Sequence, residues 1–256
     1  MDRLPFGSDP SADRDEPDDE RFALALRMAF QPIAHGNGTL FAQEALVRGP
    51  GGEGAPFVLS RVTDASRALF DRAARRAAIE TAARLGLGDV RLSLNFDPNA
   101  VHDPERDLED VLPTLRRAGL RPGQLVFEII EDVRPPDLRR LQGIVAGCRA
   151  MGALVALDDF GTMHSNLDQV AELRPDMVKA DIRLVRGIDV DPSRRTIMQF
   201  LVRLCDELGI LLVAEGVETP GEFRALADLG VTLFQGFLLG RPALDALTLP
   251  VVPATA

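Results

Sequence analysis

The feature that most limits how this chain can fold is a repeated alternation of short β-type runs with helical patterns, beginning near residue 22. Apolar runs of strand length are separated by segments with helical periodicity over more than about 150 residues. Such alternation implies parallel strands joined by helical crossovers. The first two runs, 28–34 and 40–47, differ from the rest. Only His35-Gly36-Asn37-Gly38-Thr39 separates them, and Asn-Gly tolerates the positive φ of a tight hairpin turn, so this pair is predicted to be antiparallel. The pattern then predicts a long Ala/Arg-rich helix over 63–85, a strand at 90–95, a helix at 105–118 and a strand at 125–130. It continues with a helix at 136–151, a strand at 154–158, a short helix at 165–173 and a strand at 177–179. A helix at 192–208, a strand at 211–215, a helix at 220–229 and a strand at 233–237 complete it. Seven or eight strands in about 235 residues suit a β/α barrel, with an open doubly wound sheet as the alternative. No GxGxxG follows a strand and no GxxxxGK[ST] occurs, so neither a dinucleotide site nor a P-loop is supported.

Each apolar run closes on a group able to bind metal or move a proton. The run ends are Glu44, Asn95, Glu128, Asp158-Asp159, Lys179 (with Asp181 two residues on), Glu215 (with Glu218 a short turn later) and Gln235. Taken singly, each reads as a turn former or a helix N-cap. Taken together, in a barrel whose strand ends converge on one mouth, they form a site. Five carboxylates there cannot all ionise at close range without compensation, and Lys179 supplies a single positive charge. Divalent cations would supply the rest. A ligand set of oxygens alone, without Cys or His, selects Mg²⁺ or Mn²⁺. Adjacent acids can serve two metals, and two metals clamp the attacking and leaving oxygens of a displacement at phosphorus. Phosphoester hydrolysis is therefore the leading chemistry. A Schiff-base lyase using Lys179 is the competing enzyme class.

Composition narrows the partners. The chain of 256 residues carries net charge −10 and contains no Trp and no Tyr, which argues against a nucleic-acid polymer as partner. Residues 1–20 hold eight acids and two bases among Pro and Ser, so 1–21 is predicted to be a disordered acidic leader or interaction arm, and 22–250 the folded domain. Cys148 and Cys205 form neither a disulfide framework nor a zinc motif, and no apolar run approaches the length of a membrane span. A cytoplasmic protein without membrane association is expected. His35, His102 and His164 lack ligand spacing, the arginines Arg67, Arg72, Arg75, Arg76 and Arg84 read as a solvated helix face, and 49–54 reads as a flexible glycine-rich loop.

These residues resemble the EAL family of cyclic di-GMP phosphodiesterases. The resemblance rests on Glu44-Ala45-Leu46-Val47-Arg48, preceded by Phe30-Gln31-Pro32-Ile33, and on Asn95, Glu128-Ile129-Ile130-Glu131 and Asp158-Asp159-Phe160-Gly161-Thr162. It continues through Lys179-Ala180-Asp181, Ala214-Glu215-Gly216-Val217-Glu218-Thr219 and Gln235-Gly236-Phe237-Leu238, covering roughly 22–245. It implies a modified (β/α)8 TIM-type barrel with one antiparallel strand. It also implies hydrolysis of cyclic di-GMP to linear pGpG by two-metal activation of a water, with two Mg²⁺ or Mn²⁺ per site. Glu44, Asn95, Glu128 and Asp158 would hold one metal, and Asp158, Asp159 and Glu215 the other. Lys179 would act in catalysis with Gln235 and Glu218 nearby, and Glu131 would anchor the loop after the aspartate pair. Gln31, Arg48 and Asp181 would face the substrate. A homodimer is implied as well. One departure stands out: where the family commonly has Gly, an aromatic and Ser-Ser, this chain has Met163-His164-Ser165-Asn166. Loss of the glycine removes easy access to positive φ, so the alternative is a cyclic di-GMP receptor with little or no turnover. No GGDEF-like cyclase signature is present, and no recognisable sensory domain is expected within the leader.

Overall fold

The computed structural model describes residues 26–101, 111–129, 138–161 and 167–253. Eight strands close a ring: β1 (Arg27–His35), β2 (Leu40–Arg48), β3 (Arg91–Phe96), β4 (Leu125–Ile129), β5 (Leu154–Phe160), β6 (Met177–Ala180), β7 (Leu211–Ala214) and β8 (Leu233–Phe234). Strands β2 to β8 run parallel, whereas β1 is antiparallel to both β2 and β8. The hairpin explains this: His35 N donates to Thr39 O at 2.9 Å and Gly38 adopts φ 85°, so the chain reverses at once instead of crossing over. A ninth strand, β9 (Ala243–Leu244), lies outside the ring and pairs with Ala29 and Phe30 of β1. The architecture is the expected barrel with one antiparallel strand, plus an extra strand that the sequence pattern did not indicate.

Helices cover the outside: α1 (Ala55–Leu59), α2 (Arg67–Arg84), α3 (Val111–Ala118), α4 (Leu138–Ala150), α5 (Leu167–Leu173), α6 (Ile182–Val185), α7 (Pro192–Leu208) and α8 (Pro220–Asp228). Their apolar faces and the outward-facing residues Leu92, Leu94, Phe127, Val155, Leu157, Val178, Leu212 and Phe234 form the main core. A smaller cluster of Ile33, Ala42, Val126, Ala156, Met177, Val213 and Leu233 fills the inside of the ring. Because side chains alternate with a period of two, the residue two places further along each of these parallel strands faces inward as well. Those residues are Glu44, Glu128, Asp158, Lys179, Glu215 and Gln235. The apolar plug is thus roofed by a polar layer at the carboxyl ends of the strands.

Several local expectations are corrected. Helix α2 starts four residues later than predicted, because Thr63 and Ser66 bond to each other through hydroxyls and backbone in a turn. The glycine-rich segment 49–54 is an ordered turn rather than a flexible loop. Gly49 N donates to Glu53 O and Gly51 N to the Glu53 carboxylate, both at 2.9 Å, and α1 follows directly with Pro56 in its first turn. Arg75 is not solvated: it is 2% exposed, ion-paired with Asp71, and its guanidinium lies 5.0 Å above the Phe96 ring. The strand predicted at 233–237 stops at Phe234, and α6 was not foreseen. Cys148 and Cys205 are buried, as expected of packing residues. No helix among the described residues is long and apolar enough to cross a membrane. The leader 1–21, Glu131, His102, His164 and the segment 163–166 lie outside the described residues.

Candidate active site

Lys179 is the centre of the polar layer. It is 1% exposed, and its Nζ lies 2.6 Å from Glu215 Oε1, 2.9 Å from Glu128 Oε2, 3.1 Å from Asp158 Oδ1 and 3.6 Å from Glu44 Oε2. Four strands therefore deliver one carboxylate each to a single ammonium. Gln235 Nε2 donates to Glu44 Oε2 at 2.5 Å, and Asn95 Nδ2 donates to Glu44 Oε1 at 3.2 Å. Gln31 sits opposite Glu44 in the β1–β2 register, accepts from Gln235 Nε2 at 3.4 Å and donates to Gly240 O at 3.0 Å. The structure thus brings together Gln31, Glu44, Asn95, Glu128, Asp158, Lys179, Glu215 and Gln235.

Asp158 and Asp159 raise a geometric question, since neighbours on a regular strand point to opposite faces. Asp159 adopts φ 52° and the β5–β6 register breaks between Leu157 and Phe160, so the strand kinks. As a result Asp158, Asp159 and Glu215 each present a carboxylate oxygen within 4.8 Å of the others. Gly236 places Gln235 in a comparable way. The backbone of Val217 passes so close that a Cβ on Gly236 would lie 2.2 Å from Val217 O, a contact only glycine permits.

The charge balance of the mouth is unequal. Burial, reinforced by Glu44, pushes the Glu128 carboxyl well above its usual range despite Lys179. Burial also raises Glu215, to about 8, against the pull of Lys179 and with the help of Asp158 and Glu44. Burial and the neighbouring Asp158 and Asp181 raise Asp159 to about 6. Glu44 goes the other way. Burial opposes its ionisation, but Lys179 and the hydrogen bonds from Gln235 and Asn95 hold it below the ordinary value. Lys179 is itself raised well above normal, since four carboxylates outweigh the cost of burying it. The mouth is short of positive charge, so Glu128, Glu215 and Asp159 are held towards their protonated forms.

Two of these oxygens, Glu128 Oε2 and Asp158 Oδ1, are buried and receive no hydrogen bond, although Lys179 attracts both electrostatically. Unsatisfied buried acceptors in an oxygen-only donor set fit a hard divalent cation. The residues present are therefore suited to the metal that the sequence implied.

The remaining predicted residues are placed differently. Arg48 ends β2, is half-buried and donates to Val47 O at 2.8 Å; burial lowers its pKa. Asp181 caps α6, accepting from Arg183 N at 2.9 Å and from Arg183 Nε at 2.8 Å. Glu218 pairs with Arg186 at 2.8 Å, and no ion pair joins it to the Lys179 cluster among the described residues. One contributor was missed. Ser93 is fully buried and donates to Glu128 Oε1 at 2.6 Å. The signal was available in strand alternation, because Ser93 lies two residues before Asn95 and shares its face.

Comparisons with known proteins identify the family. The chain matches the EAL domain family over residues 21–242. A standalone versatile EAL protein from Vibrio cholerae O395, solved with c-di-GMP bound, superposes with a TM-score of 0.85 at 38% identity, covering 88% of this chain and 95% of that one. BlrP1 of Klebsiella pneumoniae, solved as a manganese/cy-diGMP complex at pH 9.0, gives a TM-score of 0.82 at 33% identity, covering 86% of this chain and 57% of that one. The cyclic di-GMP phosphodiesterase RocR of Pseudomonas aeruginosa is 34% identical over 155 residues, 60% of this chain and 39% of RocR. The chain spans 22% to 55% of the length of three further curated relatives.

Proposed function

The chain belongs to the EAL domain family, and from that premise we propose that it hydrolyses cyclic di-GMP to linear pGpG at the barrel mouth, using two Mg²⁺ or Mn²⁺ ions. The observation that carries the proposal is the four-carboxylate shell around Lys179 with two buried oxygens left unsatisfied. Glu44, Asn95, Glu128 and Asp158 would hold one cation, and Asp158, Asp159 and Glu215 the other. Bound there, the cations would neutralise the acidic mouth, admit a dianionic substrate and activate water as Lewis acids.

The chain's own residues do the rest. In the reaction, water adds its oxygen to phosphorus, one P–O3′ ester bond breaks, and the departing 3′ oxygen takes up a proton. Lys179, fixed by four carboxylates, offers a positive charge where negative charge develops on the phosphoryl oxygens. Gln235 and Asn95 orient Glu44, and Ser93 orients Glu128, so these carboxylates are aimed before any ligand arrives. Arg48 and Gln31 flank the mouth on β2 and β1, where a guanidinium can grip a phosphate and an amide can meet a base edge. Asp181 and Glu218 act by positioning, Asp181 as the cap of the helix after Lys179 and Glu218 through Arg186. Glu131 would anchor the loop that follows the aspartate pair, as the family resemblance implies. The protein is proposed to work as a homodimer in the cytoplasm.

The test is incubation of the purified chain with cyclic di-GMP and Mg²⁺ or Mn²⁺, with and without chelator, and chromatography of the products. Metal-dependent appearance of pGpG is expected. Saturable cyclic di-GMP binding by a metal-loaded chain that forms no pGpG would replace the enzyme with a receptor.

A further inference from the structure

Glu222 is an acid in the first turn of α8, 2% exposed, outside the cluster around Lys179 and unused by the reaction proposed above. A capping box explains part of its burial. Thr219 Oγ1 accepts from Glu222 N at 3.2 Å, and the Glu222 carboxylate reaches back to Thr219 N at 3.0 Å. That reciprocal pair asks nothing more of the carboxylate. Here the carboxylate does more. Oε2 also accepts from Glu218 N at 3.0 Å, and Oε1 accepts from Gly187 N, 35 residues earlier in the chain, at 3.0 Å. Burial opposes its ionisation, yet the N–H groups of Gly187, Glu218 and Thr219 hold its carboxyl below the ordinary glutamate value. It is therefore an acceptor on both sides.

The two segments joined by Glu222 lead directly from the mouth. Gly187 lies in the turn after α6, which follows Lys179 on β6, and Glu218 and Thr219 lie in the loop that follows Glu215. The segments touch elsewhere too. Gly216, at φ 66°, lies so near Ile182 that a Cβ there would collide with that side chain, and Gly221 is as close to Asp189. Arg186 pairs with Glu218 at 2.8 Å, but at a partly exposed position where water weakens the attraction. The Glu222 bonds are sealed from water, and a bond to a charged acceptor there is worth more than a neutral one. At the start of the loop, Glu215 N donates to Ala180 O at 3.0 Å, and the Glu215 carboxylate makes the shortest contact with Lys179 Nζ, 2.6 Å.

We propose that Glu222 is a positioning residue: its carboxylate clamps the loop after β7 to the turn after α6 and so holds Glu215 against Lys179. The consequence for a bound metal rests on the function proposed above, whereas the clamp itself does not.

The experiment compares the metal-free full chain with Glu222→Gln and Glu222→Asp by native-state amide hydrogen exchange, followed by NMR. Glutamine fills the same space but turns one acceptor into a donor, so one side of the clamp must open. Aspartate keeps the charge and shortens the arm. The reporters are Glu215 N and Val217 N, which bond to Ala180 O and Gln235 O and not to Glu222. Their exchange should rise about tenfold in both variants, with the amides of β3 and β4 unchanged. Val145→Ala, a truncation of a buried residue on α4, controls for lost stability and should not single out Glu215. Faster exchange confined to Gly187, Glu218 and Thr219 would make Glu222 a helix cap only, and an equal rise in every strand would make it a general stabiliser; either would overturn the proposal. Titration with Mn²⁺ is the second arm. Both Glu222 variants should bind it about tenfold more weakly than wild type, and Val145→Ala equally well. Unchanged Mn²⁺ affinity in both variants would remove Glu222 from the mouth. A wild-type chain that takes up no Mn²⁺, with Glu215 still released in the variants, would sink the metal reading and uphold the clamp.

Discussion

Replacing Lys179 by Met tests the electrostatic account of the mouth most directly. Methionine keeps the length and apolar stem of the lysine and removes only its charge. The substitution leaves Glu44, Glu128, Asp158, Asp159 and Glu215 without the ammonium that now lies 2.6 to 3.6 Å from four of them. Removing one partner of a buried ion pair costs about 3–5 kcal/mol. For a chain of this size that is a fall in Tm of about 10 °C. The loss must depend on pH. Glu128 is held well above the carboxylate range and Glu215 is held at about 8, and without Lys179 both should rise further. At about pH 5 these acids are protonated and little uncompensated charge remains, so the gap to wild type should be small there and widen towards about pH 8. Thermal unfolding followed by circular dichroism in divalent-free buffer, at both pH values, reads this out. Saturating Mg²⁺ should narrow the gap at the higher pH, because the cation replaces the missing charge, while hydrolysis stays lost. A variant as stable as wild type at high pH, or a gap that ignores pH, would refute the reasoning.

Three further outcomes follow from the same geometry. Glu215 keeps its proton to about 8 when folded against 4.5 for an unperturbed glutamate, so folding binds a proton between those values; metal-free stability should therefore fall as pH rises through that window, and Mg²⁺ should reverse the trend in thermal melts. Ser93→Ala removes the 2.6 Å donor to Glu128 and should weaken metal binding about 10–100-fold with the fold intact, measured by titration with Mn²⁺; unchanged affinity would remove Ser93 from the site. Gly236→Ala places a methyl group 2.2 Å from Val217 O, so the Gln235 segment must shift, and both Tm and hydrolysis should drop; a crystal structure of the variant with Gln235 still 2.5 Å from Glu44 would contradict this.

The barrel was legible because two periodicities coincide. Strand alternation put an apolar residue and then a polar one on the inner face, as in Val126 and Glu128, Met177 and Lys179, or Val213 and Glu215. Reading only the run ends was enough to find the carboxylates, yet it passed over Ser93, which sits mid-strand. Asp159 shows a different limit. Local alternation sends it to the outer face, and only the kink at φ 52° turns it toward Asp158 and Glu215. Strand β8 was over-extended because Gln235-Gly236-Phe237 continues an apolar run, whereas the backbone of Val217 packs on Gly236 and turns the chain. Arg75 was misjudged for a similar reason. Helical periodicity placed it among solvated arginines, and a buried partner, Asp71, one turn earlier took it into the interior. The Val217–Gly236 contact is tertiary and lies in no short window of sequence, whereas Ser93 and the Asp71–Arg75 pair each lie within one.

The same alternation explains why the mouth is suited to cations. An inner apolar cluster seals the barrel below, so the polar layer above it cannot be solvated from beneath. Closing eight strands into a ring then forces their terminal side chains into a space where a carboxylate has few neighbours except other carboxylates. Such a layer has three ways to reduce repulsion: protons, a buried lysine, or metal. Lysine alone is insufficient, because Nζ is shared among four acids and two oxygens still lack a hydrogen bond. Protons serve while the mouth is empty, as the raised Glu128 and Glu215 indicate. They are also the groups a divalent cation displaces, so metal binding should release protons as the acids ionise. Metal affinity at this mouth should therefore climb with pH over the range in which metal-free stability declines, and a bound cation would reduce the repulsion that an anionic ligand meets there.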